Sequence, residues 1–433
     1  MYNAIAIEEL GKPVVLLAHP GFVPDARSAA SSRGVPGIRI LPLNVANEAT
    51  DPADFENGAI QVTPGIIEAL TKPLTADEKS PKPRDAKPSR IAFSGNYEAV
   101  NRFYYRNGWT DGLPIVPPTE EAVAEMLTGT DLPKDHIVAK LIPRLGKATV
   151  EKIAINAVMA GALPTHMPVL IAAVEALSDQ KTRFDTFEVS TGSWAPFFAI
   201  NGKIRNDINL NYSSGSLSPG DIANSAIGRA VGLIVKNIGG ARKAIEDMGV
   251  IGNPSKYSLV IGENEEESPW EPLQVERGFR KEDNTLTVFF PNNFLQSVPG
   301  GTDADGLARS LANLAPISMS CIIVIPSHAK ILADAGWTKE RLKTFILENA
   351  PGRSPMRKQQ DAEASAVLAA PPMAFNTDEL MLLVAGGPGA WMATLRSVGG
   401  IQNSFVTKKI ELPRNWDELV RKYRNVVPVY VEY

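Results

Sequence analysis

The segment Pro13–Leu41, PVVLLAHPGFVPDARSAASSRGVPGIRIL, decides the fold class. Its first run, PVVLLA (Pro13–Ala18), is short and apolar, and His19-Pro20-Gly21 closes it as a turn, so it reads as a buried strand. Residues Pro24–Ser32 are compatible with a helix. Gly37 then leads into IRIL (Ile38–Leu41), a second strand. The order strand, helix, strand predicts half of a parallel α/β unit, because parallel neighbours need a crossover and a helix supplies it.

Downstream, PGIIEAL (Pro64–Leu70) places proline where a helix begins. Lys72–Arg90 follows with four prolines, many charges and almost no apolar anchors, the composition of a linker. These boundaries divide the chain into a small α/β unit over residues 1–71, a linker over 72–90 and a large domain over 91–433. The large domain reads as mixed α/β (α+β). Helices are predicted at Tyr97–Arg106, after the N-cap Thr119, at Thr149–Ala160, Pro168–Leu177, Ile222–Lys236, Asp305–Leu314, Ala329–Ala335 and Lys339–Glu348. Strands are predicted at Ile137–Ile142, Tyr257–Ile261, Thr285–Phe290, Cys321–Ile325 and Leu380–Val384. Arg353–Ala364 reads as an exposed, charged connection. No internal repeat is legible.

Composition narrows the function classes. A chain of 433 residues exceeds one ordinary core, so more than one domain is expected. A net charge of −4 gives no basic face for nucleic acid. No apolar run approaches the length of a membrane span, so no membrane partner is expected. The single cysteine, Cys321, leaves no internal disulfide and suits a reducing compartment, hence the cytoplasm.

The middle third concentrates glycines, small polar residues and acids: TGSWAPFFAING (Thr191–Gly202), NYSSGSLSPG (Asn211–Gly220), NIGGA (Asn237–Ala241) and ENEEESPW (Glu263–Trp270). These stretches lack the periodic apolar residues of a core and supply backbone N–H groups, hydroxyls and carboxylates. That is the material of a polar small-molecule pocket.

Taken together, NGWTDGLPIVPPTEEAVAEML (Asn107–Leu127), AINAVMAGALPTHMPVLIAAVEAL (Ala154–Leu177), STGSWAPFFAINGKI, ENEEESPWEPL and PSHAKILADAGWTKE (Pro326–Glu340) resemble the UGSC-motif (seleno)protein family and its associated large domain. Over the first 70 residues the chain is similar to the C-terminal half of the small UGSC domain. The resemblance implies a fold like half of an aspartate/glutamate racemase there. The UGSC tetrapeptide does not occur in this chain, and Ala160-Gly161-Ala162 stands where relatives often read AGC. The thiol or selenol chemistry that the resemblance implies therefore has no residue here except Cys321, which precedes the apolar run IIVIP and reads as a buried small hydrophobe.

Candidate chemistry follows from residue types. Glu263 and Glu265 share a face if the segment is extended, and paired carboxylates favour one raised pKa or a bound cation. They are candidate bases or ligands to a divalent metal such as Mg²⁺; the alternative is a solvated acidic loop. Trp270 is a candidate lid over them. His328 ends a predicted strand and opens a helix, where open α/β sheets place ligands, and is the candidate proton carrier. Its alternative is a local hydrogen bond. Ser190, Thr191, Gly192 and Ser193, after a strand-like FEVS, and Asn211, Ser213 and Ser214 are candidate binders of an anionic group. Gly386-Gly387-Pro388-Gly389 is a second glycine turn, which a tight turn alone also explains. Asp303 reads as a helix cap, and Asp111 as a pocket or turn residue. No zinc, nucleotide or serine-hydrolase motif occurs.

The sequence thus predicts a cytoplasmic enzyme without an organic cofactor. It acts on a small polar carboxylate by lyase, hydratase or isomerase chemistry, as a homo-oligomer or with a partner subunit. The alternative is an incomplete subunit whose partner chain supplies the reactive cysteine or selenocysteine.

Overall fold

The computed structural model describes residues 2–44, 51–75, 89–314, 319–350, 377–398 and 404–428. The small unit contains α1 (Tyr2–Glu9), β1 (Val15–Ala18), α2 (Val23–Ser32), β2 (Arg39–Pro42) and α3 (Pro52–Thr71). As the alternation of apolar runs predicts, β1 and β2 are parallel, with Val15 opposite Arg39. Ala4, Ile5, Ala26, Ala30, Ile38 and Ile40 form the unit's small core. One expectation fails: α3 starts at Pro52, not Pro64. Asp51 caps it by accepting from the Ala53 N–H at 2.8 Å, and Pro64 lies inside the helix. The linker residues 76–88 and the Arg353–Ala364 connection lie outside the described residues.

The large domain opens with α4 (Tyr97–Arg106), α5 (Glu120–Leu127) and the hairpin β3 (Ile137–Leu141) and β4 (Gly146–Thr149). Two halves of the same plan follow. In the first, α6 (Val150–Ala160) and α7 (Met167–Ser178) precede β5 (Phe197–Asn201), crossover helix α8 (Ile222–Ile234), β6 (Val260–Gly262) and β7 (Thr285–Phe289). The chain then leaves through β8 (Asn293–Ser297). In the second half, α9 (Ala304–Leu314) precedes β9 (Ser320–Val324), crossover helices α10 (Pro326–Asp334) and α11 (Lys339–Asn349), β10 (Leu380–Val384) and β11 (Met392–Arg396). The chain leaves this half through β12 (Val406–Lys409), and α12 (Trp416–Tyr423) ends the described chain.

The sheet orders expose the repeat. One sheet runs β6-β5-β7-β12 and the other β10-β9-β11-β8. In each, the two strands joined by the crossover are parallel and the next two are antiparallel. The fourth strand is exchanged: β8 follows the first half but pairs in the second sheet, and β12 follows the second half but pairs in the first. Registers agree residue by residue. Ile200 lies opposite Gly262, and Val324 opposite Val384. The next N–H in each case returns to the neighbouring strand, from Glu263 to Ile200 O at 3.1 Å and from Ala385 to Val324 O at 3.1 Å. Residues 263–267 and 385–389 are therefore equivalent positions.

The layers follow from side-chain alternation. Phe197, Ala199, Ile261 and Phe289 of one sheet meet Cys321, Ile323, Leu383 and Leu395 of the other in a core between the sheets. Phe198, Ile200 and Val288 face outward under α6, α7 and α8. Ile322, Val324 and Leu382 face outward under α9, α10 and α11. The result is a helix–sheet–sheet–helix sandwich, the mixed α/β class expected. TGSWAPFFAING is not all loop: its FFAIN is a strand with every residue buried. FEVS is no strand; Phe184–Phe187 is a helical turn that stacks Phe184 and Phe187 on Phe290, with ring centroids 5.5 and 5.1 Å apart.

Candidate functional site

The two equivalent loops have opposite chemistry. After β10 the chain reads Ala385-Gly386-Gly387-Pro388-Gly389, and these residues line a cavity of about 280 Å³ between the sheets. Ser214–Ser218 form the facing wall, Ile261, Ile323, Ile325, Met392 and Ala393 the floor, and Phe294, Gln296 and Trp391 the remainder. The serine loop is built by Asn224, one buried amide on the otherwise apolar face of α8. Its Nδ2 donates to the carbonyls of Asn211, Ser216 and Val260 at 3.0, 3.2 and 3.1 Å. Asn211 in turn bonds Asp221 Oδ2 at 2.9 Å and Ser214 O at 3.0 Å.

The two loops touch where side chains would not fit. A Cβ on Gly387 would stand 1.7 Å from Ser214 Oγ. Gly386 holds φ +96°, a left-handed backbone that glycine adopts without strain, and donates its N–H to Tyr212 O at 2.9 Å. Among the described residues, the hydroxyls of Ser214, Ser216 and Ser218, the Gln296 amide and the N–H groups of Gly387 and Gly389 take no hydrogen-bond partner. Among the described residues no ionisable side chain lines the cavity.

At the other end, Glu263, Glu265 and Glu266 already hold hydrogen-bond partners. Arg205, 2% exposed, donates Nη1 to Glu263 O at 2.5 Å and to Glu266 Oε2 at 3.1 Å. Its Nε lies 3.0 Å from Glu265 Oε1. Glu265 also accepts from the Gly202 N–H at 2.7 Å and Asn201 Nδ2 at 3.2 Å. Glu263 is fully buried; its Oε2 accepts from Asn201 Nδ2 at 2.5 Å and the Leu273 N–H at 2.7 Å. Its Oε1 has no hydrogen bond, and Lys339 Nζ stands 3.9 Å from it. Burial pushes the Glu263 carboxyl up, against the pull of Lys339 and the two donors. Lys339 and Lys343 also flank Glu276, at 3.0 and 2.6 Å.

Arg205 and Lys339 stand beside these carboxylates, and among the described residues no three His, Cys, Asp or Glu side chains converge as metal ligands.

The sequence-predicted residues therefore separate. Ser214 lines the cavity and Asn211 and Ser213 build its wall, Ser213 through an N–H donated to Asn211 Oδ1 at 2.8 Å. Glu263 and Glu265 belong to the charged cluster. Trp270 packs against the apolar core beneath α9, α10 and α11, its Nε1 donating to Trp337 O at 2.9 Å. Ser190, Thr191, Gly192 and Ser193 form a third place, facing the loop 247–253: Val250 N–H donates to Thr191 O at 3.1 Å and Gly252 N–H to Ser193 Oγ at 3.1 Å. Gly192 lies against the Trp194 ring, and the Ser190 hydroxyl accepts from its N–H at 3.2 Å. Near this loop, burial pushes the carboxyl of Glu188 up to about 8.

His328 sits in the first turn of α10, three residues after the cavity residue Ile325. It is buried, Nδ1 has no partner, and burial lowers its pKa. Cys321 is fully buried between the sheets, where burial pushes its thiol far up. Asp111 is a turn residue held by Arg229 at 2.7 and 3.0 Å, and Asp303 caps α9 through the Gly306 N–H at 2.7 Å. Asn224, Arg205, Gln296 and Trp391 were not singled out from the sequence. A lone asparagine within IANSAIGRAV was the available signal for the first.

No family model, curated protein or solved structure matches the chain. Among the described residues no helix is long and apolar enough to cross a membrane.

Proposed function

We propose that the chain binds a small carboxylate with an apolar body in the cavity between Ser214–Ser218 and Ala385–Gly389. The observation that carries this reading is the set of uncommitted polar groups there: three hydroxyls, an amide and two glycine N–H groups, above a floor of aliphatic side chains. Uncharged donors of this kind hold an anionic oxygen, and the aliphatic floor takes the body. Because no ionisable side chain among the described residues lines the cavity, a reaction on the bound molecule would draw its acid or base from outside that lining. That favours a subunit whose partner chain carries the reactive residue.

The second reading keeps the enzyme within one chain, with His328 moving the proton in a lyase, hydratase or isomerase reaction. Its support is the unpartnered Nδ1 of His328 and its closeness in sequence to Ile325. Thermal shifts with phenylacetate, indole-3-acetate and isovalerate, each beside its neutral amide, test the binding reading. It expects stabilisation by at least one acid and not by its amide; no shift with any acid contradicts it. Once a reaction is found, His328→Asn separates the readings: lost turnover with unchanged binding selects the single-chain enzyme.

A further inference from the structure

The internal repeat gives every strand a reference position, and one strand departs from it. Val406 on β12 lies opposite Val288, and Leu295 on β8 lies opposite Thr394. By the registers above these are equivalent sites on the outward face. Val406 is 4% exposed beneath α7, whereas Leu295 is 42% exposed. The first half places two helices before its sheet and the second half one, so among the described residues the counterpart of α7 over β8 is lacking. The edges differ as well. β12 carries Lys408 and Lys409, residues that blunt an edge against pairing, while β8, Asn293-Phe-Leu-Gln-Ser297, carries no charge and no proline.

We infer that a second copy of this chain pairs edge to edge through β8, antiparallel about a two-fold axis at Leu295. Self-pairing about that residue sets Leu295 against Leu295, Asn293 against Ser297 and Phe294 against Gln296, so each apolar or polar position meets an acceptable partner. The two sheets become one eight-stranded sheet. Exposed Val298 lies just beyond the strand, where the second copy buries it. Phe294 and Gln296 also line the cavity, so the neighbouring β8 stands at the cavity mouth of each copy. The pairing does not depend on what the cavity binds.

Sedimentation equilibrium of the full chain tests this. A dimer is expected for the parent, and a monomer for Leu295→Lys with unchanged circular dichroism. A monomeric parent, or a dimer that survives L295K, overturns the proposal. Should L295K misfold, cysteine pairing decides. In a C321A background, Leu295→Cys should oxidise to a covalent dimer far faster than Val250→Cys, whose parent residue is 78% exposed but lies off the edge. Equal rates also overturn it.

Discussion

The loop after β6 and the loop after β10 occupy the same place in two copies of one topology, yet one is closed and charged and the other open and neutral. Residues 263–267 carry four carboxylates, of which Glu263, Glu265 and Glu266 are tied to Arg205, Asn201 or Lys339. Residues 385–389 carry no side-chain charge, and two of their N–H groups remain unbonded. On the proposed reading, uncommitted polar groups mark the site and the density of reactive residue types does not. The acids sit beside the buried cations Arg205 and Lys339, while the glycine loop borders the cavity.

The largest expected effect breaks the closed end. Arg205→Ala removes the buried cation from the partly buried Glu265, the exposed Glu266 and the Glu263 carbonyl, and should cost about 3–5 kcal/mol of stability in denaturant titration. A cost near zero would mean that the acidic loop is solvated. Next, Gly387→Ala drives a Cβ into Ser214 at the open end. It should cost ~1–3 kcal/mol and disrupt the cavity while circular dichroism is preserved.

The pH response sharpens the contrast. The Glu263 carboxyl has a folded pKa raised above its unfolded value of 4.5. The folded state therefore holds the proton more tightly, and stability falls as pH rises above about 4.5 through the folded pKa. Glu263→Gln should flatten that slope, measured as denaturation midpoints across pH. A slope unchanged in E263Q assigns it to other groups, Glu188 first. Ligand affinity at the neutral cavity should stay flat over the same range wherever the ligand is ionised. The smallest effect concerns Cys321. A thiol reagent should not label it until the protein unfolds, because the thiol is buried and strongly protonated. Rapid labelling of the native protein would place this residue at an accessible site.

Much of the fold was legible. SCIIVIP and LMLLVA read as strands because continuous apolar runs suit strands buried on both faces. PVVLLA and IRIL are strands too, but no residue of β1 and only Ile40 of β2 is buried. Thr119 and Asp303 read as caps because their side chains have few other uses there. The edge strands β8 and β12 were not legible, since NFLQS and VTKK carry no continuous apolar run or clear alternation to announce them. The repeat was hidden for the same reason: it lies in register and strand order, while the equivalent loops ENEEE and AGGPG share no chemistry. Glycine and serine richness singled out Ser214 and the GGPG turn, and both line the cavity. The pairing of the acids was not legible, because nothing local to ENEEE tells that Arg205, some sixty residues earlier, lies folded against Glu265 and Glu266.

The central claim is that the neutral end binds and the charged end supports. Calorimetric titration of phenylacetate, indole-3-acetate and isovalerate into the parent, G387A and E263Q proteins tests it directly. At least one acid should bind the parent and E263Q with the same affinity, and G387A at least about tenfold more weakly, a loss of ~1.4 kcal/mol. Binding that survives G387A and disappears in E263Q would contradict the account and return the site to the acidic loop.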